Sequence, residues 1–235
     1  MIIALCLSGQ PRAFNHGYEF VYENLLKDHD VEVFIHTWES EQAQEAIIQY
    51  QARTWQIDPA LTNDLSKYTN VPPPQPNWKV KDPARSTWNQ LYGVGKCNWL
   101  KSEFENLYDM KFDWVIRSRF DFALNVKIPF AELDNTKLYI PNCRQVPNRD
   151  FGNDQFAFSS SENMDKYADT YKHLDRFYES GVQMMCEDMM SANWKEKGLV
   201  GENLVYCNLD HPFPPGPYNG TWHSLIREDF EKWVR

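Results

Sequence analysis

The run Ile2-Ile3-Ala4-Leu5-Cys6-Leu7 is apolar at every position, the pattern of a strand covered on both faces, and it predicts a central parallel strand. It breaks at Ser8-Gly9-Gln10-Pro11-Arg12, where Gly9 lets the backbone approach a ligand and Pro11 blocks further pairing. Phe14, Tyr18, Val21, Tyr22 and Leu25 then recur at helical spacing and predict a first crossover helix over 14–27. A second strand follows over 31–38 and ends in His36-Thr37-Trp38; strand, helix, strand in that order predicts a parallel sheet. Residues 40–51 suit a polar helix. From Ala52 to Pro83 periodicity dissolves, with a proline-rich extended piece over 71–76, and a loop so long predicts a lid or specificity insert. The longest helix is expected over 84–110, with Leu91, Val94, Leu100, Phe104 and Leu107 on or near one stripe and Gly93 and Gly95 weakening its middle.

That helix feeds into Asp113-Trp114-Val115-Ile116-Arg117-Ser118-Arg119-Phe120-Asp121. At period two, Trp114, Ile116, Ser118 and Phe120 share one face, and Val115, Arg117, Arg119 and Asp121 the other. The stretch therefore predicts a strand that packs on one face and turns ionic on the other, with charged heads spaced by roughly 7 Å. Further strands are expected at 138–140, 153–158 and 204–207, and helices over 161–178, 182–197 and 222–233, the last preceded by a stiff loop over 212–217. Together these elements predict one α/β, Rossmann-like domain spanning 1–235, a mostly parallel sheet flanked by helices.

A chain of 235 residues can bury one large core. The formal charge of -9 argues against stable nucleic-acid binding, which needs a basic face, while leaving contact with a single nucleotide open. Five scattered cysteines without a C-x-x-C pair read as reduced thiols and favour a cytoplasmic setting. No apolar run reaches membrane-span length. The aromatic surplus is mostly core material, although flat rings also stack on sugars and bases.

Three element ends carry polar groups that need a reason: Gly9 to Arg12, Arg117 to Asp121, and Asn153-Asp154. The turn through Ser8, Gly9 and Gln10 offers free N–H groups and a helix N-terminus to an anion, and Arg12 adds a planar fork. If the first two ends lie on neighbouring parallel strands, Arg12, Arg117 and Arg119 converge on one diphosphate while Asp121 holds a divalent cation, because Mg²⁺ and Mn²⁺ share oxygen ligands between one or two carboxylates and substrate phosphates. His36 and Trp38 sit where a base or sugar could stack; a satisfied histidine beside a core tryptophan is the alternative. The sequence contains no P-loop, dinucleotide fingerprint or nucleophile elbow, so a P-loop kinase, a dinucleotide dehydrogenase and an α/β-hydrolase are disfavoured.

Ser8-Gly9-Gln10-Pro11-Arg12, His36-Thr37-Trp38, the 113–121 block and Asn153-Asp154-Gln155-Phe156, in that order, resemble a group of viral and bacterial glycosyltransferases of the GT-A type, over 1–187. The resemblance implies a GT-A-like domain, a UDP- or GDP-sugar donor, a glycan or other hydroxyl acceptor, a Mn²⁺ or Mg²⁺ ion, and the cytoplasm (of the host, for a virus) as its setting. The chain departs from the family's Asp-x-Asp pattern, since Arg119 stands where the first acid is expected; Asp121 remains as the metal ligand, and arginines can neutralise a diphosphate unaided. Asp154 is the expected base for the acceptor proton and Glu187 the second candidate. His211 or His223 could add a late metal or phosphate contact. Two other readings are a non-catalytic carbohydrate-binding or scaffold domain and another phosphate-handling transferase, such as a sulfotransferase or nucleotidyltransferase.

Overall fold

In the computed structural model, which describes residues 1–72, 82–141 and 154–207, the all-apolar first run is β1 (Ile2–Ser8). It lies between β2 (Asp30–Trp38) and β4 (Trp114–Ser118) and is parallel to both. β3 (Thr54–Asp58) extends the sheet beyond β2. On the other side, β6 (Phe156–Ser159) runs antiparallel to β4 and to β5 (Leu138–Pro141), and β5 pairs in parallel with β7 (Leu204–Cys207). The result is a mixed, mostly parallel seven-stranded sheet of order β3-β2-β1-β4-β6-β5-β7 with helices on both faces, an α/β architecture.

Alternation along the strands divides the core into two halves. Ile3, Leu5, Leu7, Val33, Ile35, Trp114, Ile116, Phe156 and Phe158 pack with residues of α1 (Phe14–Val21) and α2 (Ala43–Gln49). Ala4, Cys6, Phe34, Val115 and Ala157 pack under α3 (Pro83–Tyr108), α4 (Ser161–Ala168), α5 (Leu174–Glu179) and α6 (Cys186–Glu196). α3 starts where expected: Pro83 occupies its first turn and the Asp82 carboxylate accepts from Arg85 N–H at 2.9 Å. Its inward positions, Trp88, Leu91, Val94, Cys97, Leu100 and Phe104, keep the helical period, and Gly93 brings the helix backbone close enough to β2 that a Cβ there would lie 3.1 Å from His36 Nδ1.

Several expected boundaries move. The segment from Ala52 to Pro83 contains β3, which escapes notice because an edge strand of five residues carries only two and a half cycles of alternation. Beyond it, Leu65 and Tyr68 are buried, Tyr178 Oη accepts from the N–H groups of Thr69 and Asn70, and Met184 N–H donates to Asn70 O at 2.8 Å, so this part of the insert is strapped to the body. The first helix passes into a wider turn over Tyr22–Leu26, and the helix expected over 161–178 is interrupted by a tighter turn at Asp169–His173. Asn153, Pro73 to Pro76, His211, His223, the loop 212–217 and the helix expected over 222–233 lie outside the described residues. Among the described residues, no helix is long and apolar enough to cross a membrane.

One close contact fixes α1 against the segment that follows β4. A Cβ on Gly17 of α1 would sit 1.9 Å from the Phe120 carbonyl oxygen, so α1 lies directly on the turn that follows β4. Gly17→Ala should therefore lower stability by about 1–3 kcal/mol, the usual cost of overpacking against atoms that cannot swing aside. Thermal melts of the two proteins measure it, and an unchanged midpoint would show that the turn yields freely.

Candidate active site

The strand order reverses at β1. The chain moves outward from β1 to β2 and β3, then α3 carries it back across the sheet to β4 on β1's other side. In open α/β sheets the crevice at such a reversal, outside the carboxyl ends of the two strands, is where ligands bind. Leu7 is opposite Ser118 in the register, so the loops that follow, Gly9 to Arg12 and Arg119 to Asp121, leave the sheet side by side. The expectation that these two polar ends lie on neighbouring parallel strands is met.

On the β1 side, Gly9 has φ +115, a conformation glycine adopts without strain, and its N–H donates to His36 O. Ser8 is buried, whereas Gln10 and Arg12 are exposed, and the Arg12 side chain has no ion pair among the described residues. No side chain caps the first turn of α1, and Arg12 lies two residues ahead of the helix.

On the β4 side the ionic face predicted for 113–121 divides. The strand stays paired through Ser118, so Arg117, in register with Cys6, is still inside the sheet and is only 3% exposed. Its Nε and Nη1 are buried without a hydrogen-bond partner, and it lines a small cavity beneath β1. Arg117 was expected to project beside Arg119 onto the donor; burial instead turns its fork inward, because the chain has not yet left the sheet at that position. Arg119 and Asp121 lie past the strand. Arg119 Nε donates to Asp121 Oδ1 and Nη2 to Oδ2, both at 2.8 Å, a bidentate fork. Burial lowers the Arg119 pKa, but the charge and hydrogen bonds of Asp121, with Asp154 behind them, more than offset it and hold the guanidinium firmly charged. Nη1 and one N–H of Nη2 stay available to a ligand.

Asp121 is 4% exposed and both its oxygens face Arg119. That arrangement does not fit a resident Mg²⁺ or Mn²⁺, which would have to compete with a guanidinium for the same lone pairs. Among the described residues, no group of three or more His, Cys, Asp and Glu side chains could hold a metal.

Asp154, just before β6, and Glu187, in the first turn of α6, lie close enough that the charge of the first acts on the second. Gln90 Nε2 of α3 donates to Asp154 Oδ2 at 2.5 Å and to its backbone oxygen at 3.0 Å, which orients the carboxylate. Glu187 keeps part of its surface open, yet protein surrounds it closely enough that desolvation, reinforced by the neighbouring Asp154 charge, pushes its pKa up to about 8. Asp154 also acts electrostatically on Arg119, so the acids and the fork share one neighbourhood. The site thus brings together Arg12, the Arg119–Asp121 fork and two further acids, while Arg117 faces the interior.

His36 and Trp38 are corrected. His36 is fully buried; its Nε2 pairs with Asp58 Oδ2 at 3.1 Å, and burial lowers its pKa against the opposing pull of that acid. Trp38 stacks on Tyr92 at 5.6 Å, and Tyr92 on Trp88 at 5.3 Å. Residues 36 and 38 share the face that α3 covers, so both rings are spent inside the protein. Gln90, Tyr92 and Asp58 were not singled out beforehand. Asp58, which accepts from His36, Gln56 and Tyr92, closes the Thr54-Trp55-Gln56-Ile57-Asp58 alternation that could have revealed it.

The chain matches no protein-family model, and no curated protein matches it.

Because folding raises the Glu187 pKa above its unfolded value, the native state holds a proton that the unfolded chain releases. Its stabilising contribution is complete at acid pH, below the unfolded pKa, and is lost as pH rises through about 8. Denaturant unfolding between pH 5 and 8.5 should show stability falling by less than about 1.4 kcal/mol per pH unit, discounted for the partly open carboxyl. Glu187→Gln should flatten that slope, and an unaltered slope would reassign the proton.

Proposed function

We propose that this protein is a nucleotide-sugar-dependent glycosyltransferase of the GT-A type. The observation that carries the reading is that the Gly9 to Arg12 loop and the Arg119–Asp121 fork leave neighbouring parallel strands side by side at the strand-order reversal, with Asp154 and Glu187 near the fork. In this reading the N-terminal end of α1, Arg12 and the unspent N–H groups of Arg119 hold the diphosphate of a UDP- or GDP-sugar. Asp121 keeps the Arg119 fork charged and aimed.

The acceptor is a hydroxyl of a glycan or similar compound. Its oxygen forms a bond to the anomeric carbon as the bond from that carbon to the diphosphate breaks. Asp154, oriented by Gln90, takes the hydroxyl proton, and the negative charge gained by the departing nucleoside diphosphate falls to Arg12 and Arg119. Glu187, its pKa pushed up to about 8, keeps its proton near neutral pH and leaves the role of base to Asp154. No step runs through a metal, since Asp121 is committed to Arg119. The Mn²⁺ or Mg²⁺ expected from the family pattern is then dispensable, its charge supplied by arginine.

Screening UDP- and GDP-sugars for release of the nucleoside diphosphate tests the assignment, with binding of UDP and GDP followed by calorimetry. One nucleotide should bind, and Arg119→Ala should weaken it roughly 10–100-fold, the worth of a lost charge-assisted pair of hydrogen bonds. Asp154→Asn should remove turnover while nucleotide affinity stays within about threefold, since the base acts on the acceptor. Chelation with EDTA should leave turnover within about twofold. Binding of a free sugar with no nucleotide affinity would replace this reading by a carbohydrate-binding domain.

A further inference from the structure

Arg117 poses a separate physical problem. Its guanidinium is charged, it is 3% exposed, and its Nε and Nη1 have no hydrogen-bond partner. A buried charge whose donors are unmet is among the most costly features a fold can carry. The cavity it lines, between β1, β4, α3 and α4, has room for one small particle.

The other polar groups around that cavity offer no counter-charge. Asn98 Nδ2 is committed to Asp165 at 2.8 Å, and Cys97 Sγ to the carbonyls of Leu7 and Phe34. Burial pushes the Cys97 thiol and the Tyr167 phenol upward, which keeps both neutral. Among the described residues, no Asp or Glu lines the cavity. Asp154, whose charge is felt at Tyr167 along with that of Arg117, gives a carboxylate oxygen to Gln90. The Tyr167 hydroxyl, by contrast, is buried without a partner and lines the same space, so it is a second unmet donor.

We infer that this cavity is a binding site for one monatomic anion of chloride size, held by the Arg117 guanidinium and the Tyr167 hydroxyl. Two kinds of unmet N–H and O–H donor, a fixed positive charge and a space for one particle define the ligand: an anion, since the site has a charge to neutralise, and monatomic, since a phosphate or carboxylate would need several times the room. A water would meet the donors and leave the charge unanswered. The site stands on Arg117's surroundings and not on the transfer reaction, so it can fail without touching that proposal.

Bromide is the probe. Crystals grown or soaked in NaBr should give an anomalous peak within contact of Arg117 and Tyr167 Oη. In solution, the thermal midpoint should rise by roughly 2–4 °C in NaBr or NaCl over sodium gluconate at equal ionic strength, because a ligand of the folded state alone stabilises by mass action. Tyr167→Phe, which keeps the charge and the packing, should reduce that difference by half or more, and Arg117→Met should abolish it whether the variant is more or less stable in gluconate. Equal midpoints for the wild type in the two salts, with no anomalous peak beside Arg117, would overturn the inference and leave a water as the occupant.

Discussion

β1 has β2 on one side and β4 on the other, both parallel to it, and the chain can make that arrangement only by carrying itself back over the sheet between β3 and β4. α3 performs the crossing, and its hold on the sheet decides whether the reversal exists at all. Lys101 on α3 is fully buried and donates to Glu105 at 3.1 Å and to Ser161 Oγ and Asp165 at 2.7 Å; Glu105 in turn accepts from the Phe112 N–H at 3.1 Å. One ammonium thus joins the crossing helix to α4 and, through Glu105, to the segment entering β4. Removing one partner would leave the others charged and buried, which makes such a network a strong determinant of geometry even where its net contribution to stability is small.

From that geometry the site's electrostatics follow. The fork Arg119–Asp121 stands just beyond the sheet because β4 ends at Ser118, and its turn is pinned from the opposite face by Gly17 under the Phe120 carbonyl, by Tyr50 edge-on to Phe120 and by Asn24 Nδ2 donating to Leu124 O at 2.7 Å. The acids come from elsewhere, Asp154 ahead of β6 and Glu187 on α6, and α3 reaches both neighbourhoods through Gln90. Desolvation, reinforced by the neighbouring Asp154 charge, raises the Glu187 pKa, since two carboxyl groups in one desolvated place cannot both give up their protons at low cost.

The parts of this arrangement that were legible in the sequence are those in which burial and chemistry agree. The apolar run of β1, its break at Gly9 and Pro11, and the βαβ opening all express one local pattern, and so predicted the parallel centre. Asp154 and Glu187 could be named as acids at element ends, although nothing local indicated that a loop before β6 and a helix some thirty residues later would meet. Arg117, His36 and Trp38 misled for one shared reason: a polar or aromatic residue at a strand's end reads as facing a ligand, but whether it does depends on how far the neighbouring strands and α3 extend. Register is a property of pairs of strands, and a single strand's alternation cannot report it. β3 was missed because an edge strand buries too little to impose a pattern, and with it went Asp58, the acid that engages His36.

Arg117 and Arg119, two residues apart in one strand and the turn that follows, show how much that register decides. Alternation puts them on the same side of the chain, yet one ends as an unmet charge under the sheet and the other as a fork held by Asp121 at the crevice. A shift of two residues in the pairing of β1 with β4 would carry Arg119 into the buried place opposite Cys6 that Arg117 now holds. In the proposed transferase the fork has its own acid because its ligand comes and goes: paired with Asp121 it is neutralised while waiting, and part of the guanidinium is left unspent for an arriving anion. Arg117 has no hydrogen-bonded acid among the described residues, and the anion inferred beside it would neutralise it for as long as the fold lasts. On those two proposals the same side-chain type does transient work on one side of the strand's end and permanent work on the other, with the last hydrogen-bonded residue of β4 as the boundary.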